Sequence, residues 1–468
     1  MNTGTKKTNT DLIVFVIILM ASLLHICLNS LASLDELWNY NFARQISMGL
    51  LPYRDYNMVQ TPLFAVIMSL PLFAFRSLFV YRLACSLLLT ALACVFYKAL
   101  ANGTSNRLLA LPFVLISIFI IDYTSYNTLF LLIALLIYYA IVKGGFKKHA
   151  LMIGSLGSLS VFARQTSGCL LVLILALIIV AFYEKKAKSL ILYSVGFAIP
   201  CLAFLTYFLI TSSLKDFWDC CLFGIMSFGG NNGNFYSSSV VLLILLTAEL
   251  VTGFVILVKK RDKTALVHFL IGIPVLAITA PIIDYSHVVF AVVYFMIPAY
   301  KLLSEKCSEV IRNTIIVFIS AVVFLCIGGL GISRIVNNKF ADKASELKLI
   351  PITGDICDDY TCLSSMVKQY ELNGYSVTFY SYSSVIVSLM NGTANPPYDM
   401  FLTGNFPGSI KDHMVYVEES CNGEDKIIII PSDYYEEGWA NPAGVLEYVK
   451  ANCEQIGSYG RFLIYKGH

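Results

Sequence analysis

Eleven apolar runs, each long enough or nearly long enough to cross a bilayer, occupy the first 332 residues of the chain. A membrane-crossing helix needs about 20 mostly apolar residues, so a chain built this way is expected to be a polytopic α-helical membrane protein. The runs are Leu12–Leu31, Tyr81–Leu100, Arg107–Ile121, Thr128–Val142, His149–Phe162, Ser167–Tyr183, Leu190–Leu209, Val240–Val258, Ala265–Pro281, His287–Leu303 and Ile311–Ile332. Composition agrees. Hydrophobic residues make up 57% of the chain and charged residues 13%, where soluble domains carry about 25% charged. The net charge of +3 is spread over loops, and no basic, aromatic-interleaved surface marks a nucleic-acid partner. The first run has no small-residue cleavage site behind it and reads as a signal anchor.

A twelfth apolar stretch, Pro62–Phe75, spans only 14 residues and holds two prolines. Runs this short are as often interfacial as spanning. Loop charge arbitrates, because cytoplasmic loops are enriched in Lys and Arg. If Pro62–Phe75 stays on one side, the clusters Lys98/Arg107, Lys143/Lys147/Lys148, Lys185/Lys186/Lys188, Lys259/Lys260/Arg261/Lys263 and Lys301/Lys306/Arg312 all face the cytoplasm. The opposite loops then carry Asp35/Glu36/Asp55, Asp122, Asp216/Asp219 and Asp284. The expected topology is therefore 11 spans, with a cytoplasmic N-terminus, an exterior C-terminus, and interfacial helices at 36–49 and 62–75 in the first exterior loop.

After Ile332 the hydropathy falls. The chain divides into a membrane domain, 1–335, and an exterior soluble domain, 336–468. Tyr375–Tyr380, Lys426–Ile430 and Gly460–Tyr465 read as strands, and Val445–Asn452, behind a turn at Asn441-Pro442, reads as a helix. A small α/β domain is expected. It holds Cys357, Cys362, Cys421 and Cys453. One or two disulfides would suit an oxidising exterior, with Cys357–Cys362 one obvious pairing among three connectivities. Four free buried thiols are the alternative.

The topology places most polar residues of interest at exterior span ends: Asp35, Glu36, Arg44, Arg54, Asp55, Arg82, Asp122, Arg164, Asp284 and His287. Ionisable groups in or near spans are costly and are kept facing a cavity or one another. Adjacent carboxylates at Asp35-Glu36 could cap a helix or do acid–base or metal chemistry. Arg164, in Ala163-Arg164-Gln165-Thr166-Ser167-Gly168, stands between two spans with almost no loop, a placement that suits bidentate binding of a phosphate. His287, in Asp284-Tyr285-Ser286-His287, opens a span and reads as a hydrogen-bonded interfacial histidine, a phosphate donor or an acid–base group. The loop Phe228–Phe235 is rich in Gly and Asn but lacks the ending of a phosphate-binding P-loop. No CxxC or HExxH spacing supports a structural zinc site.

The first exterior loop carries a resemblance. Asp35-Glu36 is followed by Ala43-Arg44-Gln45-Ile46-Ser47-Met48-Gly49, then Pro52-Tyr53-Arg54-Asp55-Tyr56, then Gln60-Thr61-Pro62-Leu63. With Tyr81-Arg82, Asp122, Arg164-Gln165-Thr166-Ser167-Gly168 and Tyr285…His287, this resembles the GT-C superfamily of polytopic glycosyltransferases. Those enzymes include protein O-mannosyltransferases and the bacterial transferases that add aminoarabinose to lipid A. The resemblance covers about the first 300 residues and, more loosely, the C-terminal domain. The chain departs from the pattern at Gln60-Thr61, where several relatives carry a basic residue before a double proline.

The resemblance implies an inverting transfer of a sugar from a polyprenyl-phosphate donor to a glycan, glycolipid or protein acceptor, at the outer face of a bacterial inner membrane. Asp35 would be the general base and Glu36 its helper. Arg164, Arg82, Arg54, His287 and Tyr285 would receive the donor phosphate. Glu36 would position the acceptor or hold a divalent ion with Asp122; where such an ion is used, Asp35 and Asp122 are its candidate ligands, and no other cofactor is expected. Two other readings compete: an exterior polysaccharide polymerase or ligase, and a transporter or flippase. A transporter predicts repeats and broken helices at mid-membrane, which the sequence does not show.

Overall fold

The computed structural model describes residues 3–31, 34–102, 109–144, 148–226, 235–306, 338–340, 346–380, 384–391, 410–431, 445–460 and 462–468, with single positions between 308 and 329. Ten of the eleven expected spans are helices: α1 (Thr3–Cys27), α4 (Leu78–Ala101), α5 (Ala110–Ile120), α6 (Tyr126–Gly144), α7 (Ala150–Ala163), α8 (Gln165–Phe182), α9 (Lys186–Ile210), α11 (Val240–Lys260), α12 (Lys263–Leu276) and α13 (Tyr285–Lys306). Six of the described helices are long and apolar enough to cross a membrane. Most of the eleventh run, Ile311–Ile332, lies outside the described residues, as do most of the loop Phe228–Phe235 and the turn Asn441-Pro442.

The first long connection holds α2 (Leu34–Ser47) and α3 (Leu63–Leu72). Ten residues of α3 extend about 15 Å at 1.5 Å per residue, half of a hydrocarbon core of about 30 Å. Pro62 precedes the helix and Pro71 lies in its last turn, so the same two prolines that interrupt the apolar pattern set its length. A five-residue helix, α10 (Leu214–Trp218), follows α9.

Packing divides the chain into two compact units. The first comprises 1–29, 82–204 and 234–336; the second comprises 30–81, 205–233 and 337–468. The connection with α2 and α3 therefore belongs with the C-terminal segment.

In the first unit, close approach depends on small residues. A Cβ on Gly154 of α7 would lie 2.0 Å from the Tyr193 carbonyl oxygen of α9, and one on Gly168 of α8 would lie 2.4 Å from the Ser160 carbonyl oxygen of α7. In the second unit, strands β3 (Ser376–Phe379), β4 (Lys426–Pro431), β5 (Cys453–Tyr459) and β6 (Phe462–Gly467) form one sheet in the order β3-β4-β6-β5. β3 and β4 run parallel; β6 is antiparallel to both β4 and β5. A short ribbon, β1 (Asn338–Phe340) with β2 (Pro351–Thr353), precedes the sheet. The expected helix at Val445–Asn452 is present with those bounds.

Cys362, Cys421 and Cys453 are free thiols. The Cys357 side chain lies outside the described residues. Positions 357 and 362 share one helix, Gly354–Leu372, and a spacing of five is not one that brings side chains together on a helix face. Cys421 and Cys453 are both buried in the apolar core between helices 410–421 and 445–452 and the sheet.

Candidate functional site

Within the first unit, the short turn between α5 and α6 is tied to α1 and the residues just after it, to α4 and to α13. The Ile121 carbonyl accepts from His25 Nε2 at 2.8 Å, and the Asp122 carbonyl accepts from Asn29 Nδ2 at 2.9 Å. Tyr285 donates its hydroxyl to the Ile120 carbonyl at 2.9 Å. Thr124 Oγ1 donates to the Cys85 carbonyl at 3.3 Å. Arg82, fully buried, donates to the Asn29 carbonyl. Asp122 and Tyr285 thus meet at this turn, Arg82 joins them through Asn29, and Arg164 from the α7–α8 junction reaches Tyr126 and Asn127 at the start of α6.

Arg164 caps α8 in an extended conformation (φ −152°, ψ 106°), and the break in the helix is what turns its side chain inward. Its Nε donates to Ser167 Oγ at 3.2 Å and its Nη2 to the Ile278 carbonyl at 3.2 Å. Nη1 donates to Asn127 Oδ1, and the guanidinium lies 5.6 Å from the centre of the Tyr126 ring. Every one of these partners is neutral. Among the described residues no carboxylate contacts the group, although Arg164 is only 7% exposed. Burial pulls its pKa down, against the opposing pull of Tyr126 and Tyr123. A desolvated cation without a counter-charge is costly, so the site favours an anion.

The entrance to α13 supplies a second polar pair. Asp284 Oδ1 accepts from the His287 backbone N–H at 2.9 Å, which caps the helix. The same oxygen accepts from Ser286 Oγ at 2.9 Å and lies 2.6 Å from His287 Nδ1. Burial raises the Asp284 pKa, but the bonds to His287 and Ser286 outweigh it and hold the carboxyl below its ordinary value. With Nδ1 turned to Asp284, Nε2 is the nitrogen left to meet a substrate.

The second unit holds Asp35 and Glu36 in the first turn of α2, where acidic groups complement the helix dipole. Glu36 is buried and Asp35 is half-buried. Arg54 is half-exposed and engages Asp55 through Nε at 2.8 Å and Nη2 at 3.0 Å. Asp55 Oδ2 also accepts the Leu51 N–H at 2.8 Å. The pairing with Arg54 holds the Asp55 carboxyl below its ordinary value. Tyr53 has φ 68°, unusual for a bulky residue. Its hydroxyl donates to the Gln60 carbonyl at 2.6 Å, and its ring sits edge-on to Phe208 and Phe217. The Pro52-Tyr53-Arg54-Asp55 turn is therefore a built structure.

Glu346 carries no motif or spacing that marks it in the sequence. It accepts Arg44 Nε at 2.6 Å and Nη2 at 2.9 Å, and the Tyr40 hydroxyl at 2.8 Å. All three groups are buried. The Glu346 carbonyl also accepts the Leu78 N–H at 2.9 Å. The C-terminal segment is thereby bolted to the helix that carries Asp35 and Glu36. Asn127, Ser167 and Asn29 were likewise not singled out as site residues. The described residues contain no group of three or more His, Cys, Asp or Glu side chains placed to hold a metal ion.

No protein-family model matches the sequence, and no curated protein matches it. Solved structures do match the fold. ArnT from Cupriavidus metallidurans in the apo state superposes with a TM-score of 0.60 at 9% identity, covering 98% of each chain. ArnT bound to undecaprenyl phosphate gives 0.57 at 9% identity, over 99% of this chain and 98% of that one. The Archaeoglobus fulgidus oligosaccharyltransferase in its apo form gives 0.52 at 11% identity, over 98% of this chain and 74% of that one. These neighbours are GT-C superfamily members. The chain has their fold: a polytopic helical membrane protein with a C-terminal domain.

Proposed function

We propose that this protein is an inverting glycosyltransferase that moves a sugar from a polyprenyl-phosphate carrier to an acceptor hydroxyl. The observation that carries the proposal is the buried Arg164 guanidinium, held in place by Asn127, Ser167 and Ile278 yet left without a counter-charge among the described residues. A phosphate supplies that charge. The match to an ArnT bound to undecaprenyl phosphate supports a lipid phosphate as its source.

In the proposed reaction Asp35 removes the proton from the acceptor hydroxyl as its oxygen attacks the anomeric carbon. The bond from that carbon to the phosphate oxygen breaks, and the polyprenyl phosphate leaves with the bonding pair. Negative charge grows on the departing phosphate, where preorganised donors are most effective. Arg164 and His287, the latter oriented through Nδ1 by Asp284, are assigned to it. Arg82 binds the end of α1 and Arg54 engages Asp55, so they rank behind. No step is routed through a divalent ion. Metal dependence at Asp35 and Asp122 is a separate proposal, read by transfer after chelation. The proposed setting is a bacterial inner membrane, with the N-terminus cytoplasmic and α2 outside.

The test is transfer from a panel of radiolabelled polyprenyl-phosphate sugars to a membrane-glycan extract, using purified protein in nanodiscs. Asp35→Asn should abolish incorporation with folding intact. Transfer by that variant at the wild-type rate would remove Asp35 as the base. A folded wild-type protein inert with every donor would favour the polymerase or transporter reading.

A further inference from the structure

At the other end of the first unit, away from the Asp122–Arg164 turn, α1, α4 and α6 enclose a cavity of about 770 Å³. Its position follows from the helices themselves. Arg82 and Lys98 lie sixteen residues apart on α4, and Tyr126 and Lys143 seventeen apart on α6. At 1.5 Å per residue, each separation is about 25 Å. The cavity is lined along α4 from Leu87 to Asn102, a length of about 22 Å by the same rise.

Its polarity is graded along that length. Val14, Phe15, Ile18, Leu87 and Ala91 line one end. Lys98, Lys143, Asp11 and Asn102 line the other. The Lys143 ammonium lies 5.5 Å from the centre of the Tyr139 ring, which also faces the cavity. Leu87 and Phe15 are exposed on the apolar flank of the bundle, so an acyl chain can enter sideways. Among the described lining residues the polar end carries two lysines and one aspartate, a net charge of +1 that one singly charged anion neutralises.

We propose that this cavity binds a membrane phospholipid with a singly anionic phosphodiester headgroup. The phosphate sits between Lys98 and Lys143, and one acyl chain lies along α4 toward Leu87. A polyprenyl phosphate offers the same kind of head but ends in a phosphomonoester, which exceeds the charge of the site. In the proposed topology the occupied leaflet is the cytoplasmic one, opposite the leaflet of the transfer reaction. The site is thus separate from the donor site.

The probe is native mass spectrometry of the full-length protein released from nanodiscs. Phosphatidylglycerol, phosphatidylcholine and undecaprenyl phosphate are compared at equal mole fraction. Phosphatidylglycerol should be retained in preference to phosphatidylcholine. Lys98→Gln with Lys143→Gln should weaken retention roughly twenty-five-fold, about fivefold per lysine near a membrane surface. The Lys98→Arg, Lys143→Arg pair should retain the lipid, which separates charge loss from misfolding. Ala91→Trp should block retention with both lysines present. Equal retention of phosphatidylglycerol and phosphatidylcholine, or unchanged retention in the double glutamine variant, would overturn the proposal. Preference for undecaprenyl phosphate would overturn the phosphodiester assignment.

Discussion

Removing the Glu346 carboxylate should loosen α2 at its root. The pair is as deeply buried as any ion pair among the described residues: Arg44 is 0% exposed and Glu346 7%. Glu346→Ala deletes both arms of the bidentate contact at 2.6 and 2.9 Å and the acceptor of the Tyr40 hydroxyl. The guanidinium then stays buried without the carboxylate that neutralises it, a situation that costs about 3–5 kcal/mol. The burial of Tyr40, followed by the neighbouring Glu346 charge, already pushes its hydroxyl pKa well above the ordinary value. The phenol therefore remains a neutral donor and cannot replace the lost anion.

Hydrogen exchange of the α2 peptide reads this directly. If those amides exchange through opening of the helix, a loss of that size speeds exchange by about 10²–10⁴-fold. Glu346→Gln keeps an acceptor of similar shape and should fall between. The decisive variant is Arg44→Met with Glu346→Leu. Replacing a buried ion pair with apolar groups is often neutral, so the double variant should exchange close to wild type. Wild-type exchange in Glu346→Ala would refute the reasoning. A double variant as fast as the single one would also refute it, because the penalty would then not be the orphaned charge.

Other variants test the candidate site. Arg164→Gln should lower kcat at least about a hundredfold, the scale for losing one preorganised donor to a developing anion. Arg164→Lys should not restore it, because an ammonium cannot span the Asn127, Ser167 and Ile278 acceptors; recovery above half of wild-type kcat would contradict the fork geometry. Gly168→Ala places a Cβ 2.4 Å from the Ser160 carbonyl oxygen and should cost about 1–3 kcal/mol by forcing α7 from α8, visible as earlier thermal unfolding. The depressed Asp284 carboxyl stabilises above its unfolded pKa of about 3.9 and loses that effect as pH falls through the lower folded value. Asp284→Asn should therefore be less stable than wild type at pH 7, and the gap in unfolding temperature should close toward pH 3. A gap independent of pH would assign the effect to packing.

What could be read from the chain, and what could not, divides along physical lines. Spans are legible because a run of about 20 apolar residues has one economical solution in a bilayer. Strands β3 and β4 were legible from local pattern. Cys453–Tyr459 was not, since its charged and polar residues break the pattern and its pairing shifts register between Gln455 and Gly457. The Asp284–His287 pair sits at a spacing of three, which a helix start brings together. The Arg44–Glu346 pair could not be chosen from sequence: 302 residues separate its members, and the chain offers 30 acidic residues. Arg44 and Arg164 look alike in sequence, each in a Phe-Ala-Arg-Gln run. Only their surroundings separate them. One is neutralised by Glu346 from within the protein, which makes it an architectural cation. The other has only neutral partners among the described residues. Burying it is costly unless an anion arrives from outside, and that asymmetry is the physical basis for giving Arg164 to the lipid phosphate.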